Sequence, residues 1–135
     1  MVEYLKYISM ENHSPVGIIA YINPCDFTYL NFMDDEIEFK QNFILKEYKY
    51  WSKKIEELNL YDQESYYPPQ DNIPGSYTWE LVYKEEGKPE IVCQGYKNYS
   101  GKIHKVLELI AEIELHYRRQ RKNCVKQTIK LFEDW

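Results

Sequence analysis

Cys93, His104 and the acidic run Asp34, Asp35, Glu36 and Glu38 are the residues whose types suit chemistry. Cys93 and His104 would make a nucleophile–base pair if the fold set a strand cysteine against the histidine of the next helix. The competing reading buries Cys93 in a hairpin, where a thiol behaves as a small hydrophobe. The carboxylates would do acid–base work only if paired in a pocket that shifts their titration. Two other roles suit them. Negative charge at a helix start caps free N–H groups and complements the helix dipole, and on a surface it meets a basic partner. His13, His104 and His116 with Cys25, Cys93 and Cys124 give no CxxC, HxH or HExxH spacing. Gly75, Gly87, Gly95 and Gly101 stand alone, so no glycine-rich phosphate loop exists. The expectation is a chain with no catalytic residues, no metal and no cofactor.

Two stretches suit binding instead. The connection "YDQESYYPPQDNIPGS" at 61–76 carries Tyr61, Tyr66 and Tyr67 beside Asp62, Glu64 and Asp71. Tyrosine and proline lose little entropy when immobilised, so an exposed segment of this kind suits recognition. Alternatively, the rings fold down over the core. At 116–130, "HYRRQRKNCVKQTIK" holds Arg118, Arg119, Arg121, Lys122, Lys126 and Lys130 with no acid. Clustered cations next to Tyr117 suit nucleic-acid phosphates. They equally suit a solvated helix end, where cations are favoured.

Bulk composition bounds these readings. A chain of 135 residues, 44% hydrophobic and 16% aromatic with 14 tyrosines, is one domain able to bury a core. The formal charge of −5 argues against a dedicated nucleic-acid binder. Residues 1–75 hold 6 Lys against 13 Asp and Glu, a balance of −7; residues 76–135 hold 11 Lys and Arg against 9 acids, a balance of +2. Three scattered cysteines without a secretory apolar segment read as reduced thiols in a cytoplasmic protein. No apolar run reaches membrane-spanning length.

The elements that must position these residues follow from periodicity. Alternation predicts strands near 2–9 and 16–23, while 25–34 reads as either a strand or an aromatic loop. Asp35 and Glu38 form a capping-box variant, and Ile37, Ile44, Tyr48, Trp51, Ile55 and Leu58 make one helical stripe. The spacing predicts a helix near 36–59. Tyr77, Trp79, Leu81 and Tyr83 share one strand face, and 85–89 makes a turn. Pairing Tyr83 with Ile91, Leu81 with Cys93 and Trp79 with Gly95 puts every apolar residue of the hairpin on one face. In that register the Trp79 ring covers Gly95. A second helix starts after Ser100, with Ile103, Val106, Leu107, Ile110, Ile113 and Tyr117 as its buried stripe. Past 116 it either continues with a bend or gives way to a basic terminal helix over 116–135.

The segment 79–110 resembles small uncharacterised α+β proteins of low-GC Gram-positive bacteria and their mobile elements. Trp79, Leu81, Gly95 and Asn98 carry the likeness, which leads from a hairpin into an amphipathic helix; Ser100-Gly101 stands where that pattern has proline. The resemblance implies no activity. The expected fold is α+β, a small antiparallel sheet of three to five strands with two or three helices on one face. The expected function is non-catalytic protein binding through Asp34, Asp35, Glu36, Glu38, Tyr61, Tyr66 and Tyr67. In general character the chain is similar to the anti-CRISPR inhibitors of phages and mobile elements. By that likeness its partner is a nucleic-acid-binding effector of host defence. The alternatives are a nucleic-acid-binding accessory protein using Arg118, Arg119, Arg121 and Lys122, and a small enzyme whose site assembles only in space.

Overall fold

The computed structural model describes residues 1–11, 14–24, 26–33, 36–63, 66–67, 77–96 and 102–133. Its strands are β1 (Val2–Glu11), β2 (Ser14–Ile22), β3 (Asp26–Met33), β4 (Glu36–Ile44), β5 (Tyr66–Tyr67), β6 (Tyr77–Glu85) and β7 (Ile91–Tyr96). Its helices are α1 (Tyr48–Glu56) and α2 (Ile103–Glu133), and a 3-10 turn spans Leu60–Asp62. The strands form one sheet in the order β4-β3-β2-β1-β6-β7-β5. Every pairing is antiparallel except β5 with β7, where Tyr66 and Tyr67 lie beside Gln94 and Gly95. The α+β class is therefore as expected, with a wider sheet.

Cross-strand rows build the core face. One row runs Phe27, Ile22, Leu5, Tyr83, Ile91, and the next runs Tyr29, Ala20, Tyr7, Leu81, Cys93. Each set alternates along its strand, so a single face collects them all. The hairpin register is the one that its alternation predicts: Tyr83 opposite Ile91, Leu81 opposite Cys93, Trp79 opposite Gly95. Gly87 turns the hairpin with a φ of +75°, a backbone region that favours glycine.

The helices close that face. Tyr48, Trp51, Ser52 and Ile55 are the buried stripe of α1, at the spacing of one helix face. From α2 come Ile103, Val106, Ile110, Ile113 and Tyr117. Trp51 and Trp79 both lie in this shared core. Between the helices, Trp51 Nε1 donates to the Tyr117 hydroxyl at 3.1 Å. At the start of β1, Val2 is buried, its N–H donates to Ser52 Oγ at 2.8 Å, and its carbonyl accepts from the Tyr48 hydroxyl.

The helix expected near 36–59 is corrected. Its first part is strand β4, and the helix begins only at Tyr48. No helix exists for Asp35 and Glu38 to cap: Glu38 lies within β4 and Asp35 outside the described residues. The physical reason is a double periodicity. "EIEFKQNFI" alternates apolar and polar at a period of two, while Ile37 and Ile44 also fit a seven-residue helical step. β3 decides between the two, since it is a strand and offers an edge: Phe27 pairs with Phe43, Tyr29 with Gln41 and Asn31 with Phe39. At the other end of the chain, α2 is one helix of 31 residues through Asn123, not two. Among the described residues no helix is long and apolar enough to cross a membrane.

Candidate functional site

The residues suited to covalent chemistry are held apart in character. Cys93 is buried in the sheet core opposite Leu81, and burial pushes its thiol up from the ordinary value. His104 projects from the first turn of α2 with 68% of its side chain exposed, and its Nε2 lies 3.1 Å from Glu108. The two do not share an open cavity. Among the described residues no cluster of histidine, cysteine and carboxylate has the arrangement of a metal site.

The predicted binding residues divide. Asp34 and Asp35 lie outside the described residues; Glu36 and Glu38 fall on β4, an edge strand of the sheet. Tyr61 is packed down. Its hydroxyl accepts from the Glu85 N–H at 2.9 Å and donates to the Pro89 carbonyl at 3.0 Å. Its ring lies 5.4 Å from that of Tyr83, with Lys88 over it at 4.9 Å. Those contacts brace the β6–β7 turn. Tyr66, in contrast, is 52% exposed on β5 and meets Tyr96 edge-on at 6.5 Å. Tyr67 contributes its backbone pairing with Gly95.

The basic stretch divides too. Arg118 turns inward to Glu114 of the preceding turn, Nε to Oε1 at 3.4 Å. That Oε1 is buried and receives no hydrogen bond among the described residues, so Arg118 is its compensating charge. Arg119 is exposed and lines an open cleft of about 660 Å³ between α1 and α2. Arg121 and Lys122 lie on α2 beyond the residues whose side chains are described. Tyr50, Trp51 and Leu115 wall this cleft, and His116 joins Glu47 across it at 3.5 Å. Lys54 sits beside it, over the Tyr50 ring at 5.0 Å and paired with Glu112 at 2.8 Å.

The second surface is the sheet face turned away from the helices. Alternation puts Lys6, Ile8 and Met10 of β1 on it, and register extends the rows. Lys6 stands between Tyr21 and Val82, with Thr28 and Val92 beyond them. Ile8 stands between Ile19 and Glu80, with Leu30 and Gln94 beyond. Tyr21, Val92, Tyr66 and Ile44 are exposed on this side, and Ile8, Ile19, Leu30 and Val82 are half-buried. The Tyr4 phenol, hydrogen-bonded to Glu90, is pushed up to about 12 by that bond, with burial adding to it. No described helix packs on this face.

Of these two surfaces the sequence singled out only Tyr66 on the sheet face and Arg119 at the cleft. The signal for the sheet face was present in β2, where Ile18, Ile19, Ala20, Tyr21 and Ile22 are apolar on both sides. Such a run reads as a strand covered twice, and only the structure shows that the described helices cover one side. Tyr50 signalled the cleft by standing off the buried stripe of α1. Compared with known proteins, the chain matches no family model and no curated protein.

Proposed function

We propose that this chain is a protein-binding module that acts by contact and not by catalysis. The observation that carries the reading is the outer sheet face, where Tyr21, Val92, Tyr66 and Ile44 are exposed around a row of Leu30, Ile19 and Ile8. Monomeric proteins seldom leave a contiguous apolar patch of more than a few hundred Å² in water. Exposed tyrosines add rigid contact area with a polar tip. The buried thiol of Cys93 and the solvated His104 support the non-catalytic half of the reading.

On the same reading the acidic end, Asp34 to Glu38 at the junction of β3 with edge strand β4, meets cationic ground on a target. A nucleic-acid-binding effector of host defence has such ground, and carboxylates would occupy the channel that otherwise holds phosphates. Site-specific photocrosslinking tests the whole proposal. A crosslinker at position 92 or 66, used in lysate of the native host, is expected to capture a defined protein, identified by mass spectrometry. A crosslinker at His104, on the solvated side of α2, should not. Equal and diffuse capture from all three positions overturns the reading.

A further inference from the structure

We infer that the outer sheet face is closed by a second copy of this chain, giving a face-to-face two-sheet dimer; the inference deepens the binding reading above by naming the occupant of its surface. Three features lead there.

The first is extent. The rows run from β3 to β7 across five strands, which at about 4.8 Å per strand is close to 24 Å. The residues from Lys6 to Met10 and their partners give a depth of about 15–20 Å at about 3.3 Å per residue. Side-chain relief raises the accessible area above this plan area of roughly 360–480 Å². It then approaches the ~800 Å² per partner that a stable interface uses.

The second feature is shape. Twisted sheets stack face to face at about 10 Å, with aligned strands and interdigitated side chains. Leu30, Ile19 and Ile8 make a level apolar row of medium-sized side chains, which suits a like row opposite.

The third is charge. The chain carries −5, yet the charges within this face are mixed: Lys6 stands diagonal to Glu80, which accepts from Gln94 at 2.9 Å, and Lys84, farther along β6, pairs with Glu3 at 2.6 Å. A two-fold axis brings each residue of such a patch onto its counterpart's neighbours. A patch of one sign would repel its own copy, whereas Lys6 of one chain can meet Glu80 of the other. A strongly basic or acidic partner has no such match here.

Sedimentation of the full chain over a concentration series tests this. The expected result is a species of twice the 16.4 kDa chain mass at micromolar concentration. Val92→Lys and Tyr21→Glu, both at exposed positions, are expected to weaken the dimer at least about tenfold while keeping the far-UV spectrum and thermal midpoint. Tyr50→Lys, on the helical side, should leave the dimer intact. A wild-type chain that stays monomeric to about 100 μM overturns the inference, as does a dimer indifferent to both sheet variants or lost with Tyr50→Lys. Should a charged variant unfold, amide shifts of the wild-type chain on dilution read the same contact. Shifts at Ile8 and Ile19 support it, and shifts confined to α1 and α2 overturn it. A monomer whose position-92 crosslinker still captures another protein rejects the second copy and leaves the binding proposal standing.

Discussion

Trp79 lies over Gly95 so closely that a Cβ on residue 95 would stand 2.5 Å from the Trp79 ring carbon Cζ2. The same edge of the indole is held by a hydrogen bond, since Nε1 donates to the Tyr96 carbonyl at 2.8 Å. Gly95→Ala must therefore move a buried ring off its hydrogen bond. We expect a loss of about 1–3 kcal/mol, as overpacking of a core costs. Trp79→Ala should cost about 3–5 kcal/mol. Urea unfolding of both variants checks this, and a neutral Gly95→Ala would refute the packing argument.

Glu85 is a buried carboxylate at the end of β6, accepting from the Tyr83 hydroxyl at 2.6 Å and paired with Lys88 at 3.1 Å. Burial by itself would push its pKa up. The bonds from Tyr83 and Lys88 outweigh burial and hold the carboxyl below its ordinary value of 4.5. A lowered folded pKa gives stability that is present above the unfolded value and lost as pH falls through the folded one. Glu85→Gln should lower stability near neutral pH, and the gap to wild type should narrow below about pH 4. Urea midpoints at pH 7, 5, 4 and 3 measure it. Parallel curves would show that Glu85 contributes nothing to acid sensitivity.

Tyr61 and Tyr66 belong to the same connection and should behave oppositely. Tyr61→Phe removes two hydrogen bonds to the hairpin turn, a loss of about 1–3 kcal/mol. Tyr66→Ala should change stability by no more than about 0.5 kcal/mol, as exposed substitutions do, and should weaken capture by the crosslinker at position 92. Thermal melts and crosslinking yields separate the two. A stable Tyr61→Phe chain would return Tyr61 to the binding surface.

Arg118 and Arg119 make a similar pair. Arg118→Ala uncovers the buried Glu114 carboxylate, so a loss of about 1–2 kcal/mol is expected. Arg119→Ala should be nearly silent in stability. If the chain instead bound nucleic acid through this stretch, affinity for labelled duplex or single-stranded DNA would fall steeply with salt, and Arg119→Ala would reduce that slope. The expected result is weak binding at physiological salt by wild type and variant alike. A steep slope would move the function to the basic face.

Local pattern alone carried the β6–β7 register, the burial of Cys93, the stripe from Tyr48 to Ile55 and that from Ile103 to Tyr117. In each case one period suits the residues, and a slip by one position would turn apolar side chains to water. The stretch 36–44 was not legible in that way, because two periods suit it and only the edge of β3 chooses. Nor was the fate of the tyrosines legible. Tyr61 folds inward because the Glu85 N–H and the Pro89 carbonyl, more than twenty residues away, converge on its hydroxyl, while Tyr66 meets Tyr96 and stays exposed. The open face of the sheet is the largest of these decisions. A strand apolar on both sides says that two surfaces want cover, and only the packing of α1 and α2 determines which of them the described helices close.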